Sequence, residues 1–144
     1  MSPSGTPAAR AWLAVAVGGL VGSELRYGLG LAFPDHPGSI PWATLCINVA
    51  GSFVLAALTT AWMARPGTAF WLRAGLGPGL LGSFTTFSAV VFAVDQLARA
   101  GQHPVWVAYL ALSLLLGLGA AGLGWRVGRL LPWTSEADAA GGRP

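Results

Sequence analysis

Four long apolar runs dominate the chain, separated by short polar interruptions. The first extends roughly from Ala11 to Ala32, the second from Trp42 to Ala64, the third from Arg73 to Ala98 and the fourth from Val105 to Leu131. Each is long enough to cross a bilayer as a helix, which needs about 20 residues. The connections "FPDHPGSIP", "RPGTAFWLR" and "RAGQHP" carry the prolines and glycines of turns. The pattern predicts an all-α membrane protein of four transmembrane helices. Residues 1–10 form an N-terminal segment, 11–131 a single transmembrane domain and 132–144 a polar tail. Trp42, Trp62, Trp71, Trp106 and Trp133 fall near run ends, where interfacial aromatics sit.

Composition strengthens this reading. Of 144 residues, 54% are hydrophobic and only 9% charged, too few to cover a soluble surface. The 21 glycines suit tightly packed membrane helices. Every basic residue is arginine, and the arginines flank or interrupt the runs rather than clustering, so no nucleic-acid partner is expected. Arg10, Arg65, Arg73, Arg126, Arg129 and Arg143 fall on the side holding both termini, and Arg26 and Arg99 on the other. The positive-inside rule therefore predicts cytoplasmic termini in a multi-pass protein of the cell inner (plasma) membrane. Arg10 before "AWLAVAVGGLVG" imitates a secretory signal, but Ser23-Glu24-Leu25-Arg26 is a poor cleavage site, and the segment reads as a retained helix. The single cysteine, Cys46, cannot form an internal disulfide.

Polar side chains within the runs hold the chemistry, because polar groups in lipid need partners or a wet cavity. Thr44, Asn48 and Ser52 recur every four residues on one face of the second helix. They serve either as glue between helices or as an anion-facing row, since the Asn48 amide offers two donors. In the third run, Ser83, Thr85, Thr86 and Ser88 are too close to share a face, and Gly75, Gly77, Pro78, Gly79 and Gly82 precede them. That combination predicts a break in the third helix, where freed carbonyls could hold a cation. Tyr109 and Ser113 lie one turn apart on the fourth, with Gly117, Ala121 and Gly124 continuing as a close-packing seam. Arg26 either snorkels to the interface or concentrates anions at a vestibule. His36 and His103 lie in loops without ligand-spaced partners, and no catalytic constellation is present, so an enzyme is not expected.

The segments "GGLVGSELRY", "TLCINVAGSF" and "GLLGSFTTFS", in that order and spacing, resemble the Fluc/CrcB fluoride channel family over nearly the whole four-span length. The resemblance implies an antiparallel, dual-topology-type dimer with two fluoride pathways and a central structural sodium ion. It implies passive export of cytoplasmic fluoride, relieving its toxicity. Arg26 matches the vestibule arginine, Asn48 the pore asparagine, and Thr44 a threonine one turn before it. Phe87 matches the first of two pore phenylalanines, followed by Ser88. Tyr109 and Ser113 match the start of a polar track. Gly82 and Thr85 match positions whose backbone carbonyls bind the sodium. Fluoride is strongly hydrated, so a pore must replace water with donors, and an aromatic edge can face an anion.

The chain departs from the family pattern at Val90, where a second phenylalanine is usual, and at Gly117, where a polar residue is usual. Together with the one-sided arginines, Val90 raises a heterodimer with a homologous subunit beside the antiparallel homodimer. The alternative is a small multidrug-type proton-coupled antiporter, for which Glu24 is the only carboxylate in the first span.

Overall fold

The computed structural model describes residues 5–34, 36, 38–65 and 67–130. Leu131, Trp133, Arg143 and the expected polar tail lie outside the described residues. The described chain is all helical: α1 (Gly5–Ala32), α2 (Trp42–Met63), α3 (Phe70–Ala74), a π-helical stretch (Gly75–Leu81), α4 (Gly82–Phe84), α5 (Phe87–Arg99) and α6 (His103–Leu130). Helix α1 begins well before Ala11, so helical backbone runs through half of the expected N-terminal segment. Among the described residues, three stretches are long and apolar enough to cross a membrane: Trp42–Met63, Phe70–Arg99 and His103–Leu130. Helix α1 has the length but also carries Arg10, Glu24 and Arg26, which lower its apolarity.

The third span is the irregular one. Pro78 lacks an amide hydrogen, and its ring would crowd the carbonyl four residues back in a regular α-helix. Wider π turns from Gly75 to Leu81 relieve that conflict. After α4, Thr85 (φ −92, ψ 147) and Thr86 (φ −155, ψ 124) are extended, and α5 opens at Phe87.

Helices pair in an interleaved way. Helix α1 packs chiefly on the π stretch rather than on α2, its neighbour in sequence, while α2 packs chiefly on α6. Glycines let backbones touch at both interfaces. A Cβ on Gly18 would strike the Gly75 carbonyl oxygen, and one on Gly22 that of Leu80. A Cβ on Gly124 would strike Phe53 O, and one on Gly128 Ala57 O. Such small-residue contacts replace the hydrophobic effect, which gives no drive for helix association in lipid. A compact apolar cluster of Leu45, Val90, Leu97 and Tyr109 joins α2, α5 and α6. Large side chains such as Leu13, Leu20, Leu115 and Leu118 point outward, as lipid or a partner subunit requires.

Candidate functional site

The site is built around the two extended residues. In a continuous helix the Thr86 amide would bond the Gly82 carbonyl; here it donates instead to Asn48 Oδ1 at 2.8 Å. Asn48 Nδ2 in turn donates to the Thr86 carbonyl oxygen at 3.0 Å. One side-chain amide on α2 thus satisfies both backbone groups of Thr86, which would otherwise be costly to leave unpaired in apolar surroundings. The Asn48 amide keeps one further N–H for other use. Gly51, one turn of α2 beyond Ile47, gives the Thr85 methyl its space, since any Cβ there would strike it. Thr85 Oγ1 donates to Leu81 O at 2.8 Å, and the Thr86 and Ser88 hydroxyls pair at 2.6 Å.

A cavity of about 240 Å³ adjoins this arrangement. Asn48, Ser52, Thr85, Thr86, Phe87 and Ser113 line it, together with Val90 and Gly117. Phe87 is exposed at the first turn of α5, whereas Val90, one turn later, is almost fully buried against the α2–α5–α6 cluster. Ser113 Oγ is buried with no hydrogen-bond partner among the described residues. A second cavity, about 260 Å³, is lined by Ser23, Arg26, Tyr27, Thr44 and Ala89. Thr44 also borders a third of about 450 Å³ with His36, Phe92 and Gln96.

The structure therefore gathers Asn48, Phe87, Thr85 and Ser113 at one cavity and Arg26 and Thr44 at another. Ser88 lies at the edge through its bond to Thr86. Gly82 is exposed on the preceding turn. Tyr109 is completely buried in the apolar cluster and does not line the Asn48 cavity. Glu24 is exposed beside Leu20, Val21, Leu25, Gly28 and Leu29, apart from both polar cavities. Ser52, left open by the sequence between helix glue and an anion-facing row, joins the Asn48 cavity, as do Thr86, Val90, Leu114 and Gly117, which were not assigned to a site; for Ser52 the signal was its spacing of four after Asn48.

A family model described as CrcB-like protein, Camphor Resistance (CrcB), matches residues 13–125. The chain belongs to the CrcB family. Every candidate site residue from Arg26 to Ser113 lies inside the CrcB match. The chain is similar to the fluoride-specific ion channel FluC 3 of Streptomyces avermitilis, 40% identical over 81% of this chain and 57% of that one. It is similar to FluC 2 of Geobacillus kaustophilus, 38% identical over 79% of this chain and 89% of the relative. Against FluC of Hyphomonas neptunium the identity is 38%, over 83% of this chain and 96% of the relative. These CrcB relatives are named as ion channels, not enzymes. Family membership and the three apolar helices make this CrcB chain a multi-pass membrane protein.

Proposed function

We propose that this chain is a subunit of a fluoride-selective channel that lets cytoplasmic fluoride leave passively, and that it is not an enzyme. The observation that carries the reading is the polar cavity beside Asn48 and Phe87, formed within otherwise apolar spans. The names of the relatives point the same way. All four long helical stretches cross the membrane in this reading, with α1 as the first span and both termini in the cytoplasm of the inner membrane.

Arg26 and Thr44 form the vestibule, where one positive charge raises the local anion concentration. Further in, fluoride sheds water and needs replacement donors. The second Asn48 N–H, the Ser113 hydroxyl and the pair of hydroxyls on Thr86 and Ser88 are within or beside the cavity. The ring edge of Phe87 offers partial positive charge without a competing acceptor. Tyr109 supports the track from the core rather than by lining the cavity. Glu24 lies on an apolar exposed surface, which favours the channel over a carboxylate-driven antiporter.

The break between Phe84 and Phe87 is functional in this reading. Gly82 loses the amide that would cap its carbonyl, because Thr86 N–H is held by Asn48. The Thr85 carbonyl precedes the helix start and turns with an extended backbone. Such an oxygen-only set fits a hard monovalent cation, and these two carbonyls would hold the structural sodium. A bound sodium supplies positive charge that braces the break; Asn48 does the local positioning. The subunits pair antiparallel, with a second copy or with a homologous subunit. Val90 and the one-sided arginines favour the homologous subunit, since a dual-topology homodimer needs weak orientation bias.

The test is fluoride efflux from liposomes, with chloride as control, for this chain alone and co-reconstituted with a homologous subunit. Fluoride efflux in either preparation is expected. Efflux by neither refutes the channel, and robust efflux by the chain alone refutes an obligate heterodimer.

A further inference from the structure

The hydroxyls within the helical spans are satisfied in different ways, those of Thr86 and Ser88 by each other at 2.6 Å. Thr59 and Thr60 donate to the carbonyl four residues back, each at 2.7 Å, and Thr85 does so at 2.8 Å. This is the ordinary way for a helical hydroxyl to satisfy itself in apolar surroundings. Ser113 does not: its oxygen is buried and without a partner among the described residues. Ser52 also makes no hydrogen bond among the described residues. Ser23 and Thr44 are likewise without a hydrogen bond among the described residues but line a different cavity, whereas Ser52 and Ser113 line the same cavity as Asn48 and Phe87.

Gly117 explains why Ser52 is accessible there. Helix α6 elsewhere meets α2 backbone to backbone, at Gly124 and Gly128. At Gly117 the helices leave room, because an added Cβ meets nothing within 4 Å except Ser52 Oγ, at 4.0 Å. The Ser52 hydroxyl is therefore the first group across a gap on α6. One turn of α2 separates it from Asn48, so donors of α2 and α6 face one space.

We infer that Ser52 is a further hydroxyl of the fluoride path, acting with Ser113 across the gap left by Gly117. This rests on the channel reading above. A small anion stripped of water is stabilised by each added O–H donor, and Ser52 extends the donor row one turn beyond Asn48. The role a side chain at position 117 would fill from α6 is filled from α2.

The experiment compares fluoride efflux from liposomes, against a chloride control, in whichever preparation of the channel conducts. Ser52→Ala is expected to lower efflux about tenfold, the scale of one lost hydrogen bond to a charged group. Ser52→Thr, which keeps the hydroxyl, is expected to retain most of it. Adding Gly117→Ser to Ser52→Ala is expected to restore efflux, because the new hydroxyl enters free space facing position 52. Should Ser52→Ala fail to assemble by size exclusion, Ser52→Cys replaces it and reduced efflux is the expected result. Undiminished efflux in the alanine variant overturns the inference while leaving the channel intact. A loss that Gly117→Ser leaves uncorrected also overturns it, because Ser52 then serves packing alone. Wild-type preparations without fluoride efflux remove the channel reading and this inference together.

Discussion

Replacing Asn48 with alanine removes two hydrogen bonds at once and orphans both backbone groups of Thr86. A buried polar group left without a partner costs about 1–3 kcal/mol, so the pair sets an upper bound of roughly 6 kcal/mol. Thr86 is only half-buried and borders a polar cavity, so water recovers part of that cost. Polar contacts between membrane helices measure about 0.6 kcal/mol on average, with model peptides at about 1–2 kcal/mol. An expected loss of about 2 kcal/mol lies between these bounds. At about 1.4 kcal/mol per factor of ten, that is a roughly 30-fold faster opening at Thr86. Hydrogen–deuterium exchange of the Thr86 amide in liposomes reads this directly. Asn48→Asp separates the two bonds: a carboxylate still accepts from the Thr86 amide but presents a second oxygen to its carbonyl. The aspartate variant should keep the amide protected while losing fluoride efflux. Wild-type exchange at Thr86 in the alanine variant would refute the idea that Asn48 holds the extended residues.

Phe87→Ile keeps size and apolarity but removes the ring quadrupole, and efflux should fall by roughly tenfold or more; unchanged efflux removes Phe87 from the path. Arg26→Gln should slow efflux most at low ionic strength, with the deficit shrinking above about 0.1 M salt, where screening reaches about 10 Å. A salt-independent deficit would contradict the vestibule role. Gly124→Ala should destabilise by about 1–3 kcal/mol, because its Cβ meets the Phe53 backbone and the helices must part. Gly119→Ala, with nothing within 4 Å, should instead be neutral or stabilising by up to about 1 kcal/mol. Unfolding in detergent distinguishes the pair, and equal effects would show that the α2–α6 seam is not backbone-tight.

Much of the architecture was legible because lipid imposes a simple rule: long apolar runs with little charge become helices. The second, third and fourth runs agree with the described helices to within a few residues. What the runs could not give is which faces meet. Thr44, Asn48 and Ser52 share a helical face by spacing, yet Thr44 opens toward Arg26 while Asn48 and Ser52 border another cavity. Tyr109 and Ser113 also share a face, but α5 and α2 close over the tyrosine and leave the serine at the cavity. The expected seam of Gly117, Ala121 and Gly124 holds at Gly124 and shifts onward to Gly128, with open space at Gly117. The partner of Asn48 was invisible for a plain reason. It is a backbone 38 residues away, and no local pattern announces a bond to a main-chain group.

The interleaved pairing of helices has a consequence for how the protein is made. Helices emerge from the ribosome in order, but α1 finds its main partner only when the π stretch arrives, some tens of residues later. In the four-span reading proposed above, at about 5–20 residues per second α1 would wait several seconds in the bilayer with its glycine face uncovered. Helix α2 waits longer still, for α6, while its Asn48 amide lacks Thr86 until the third span has inserted. Slower translation across the second and third spans would lengthen the time for which these partner-facing surfaces stay uncovered.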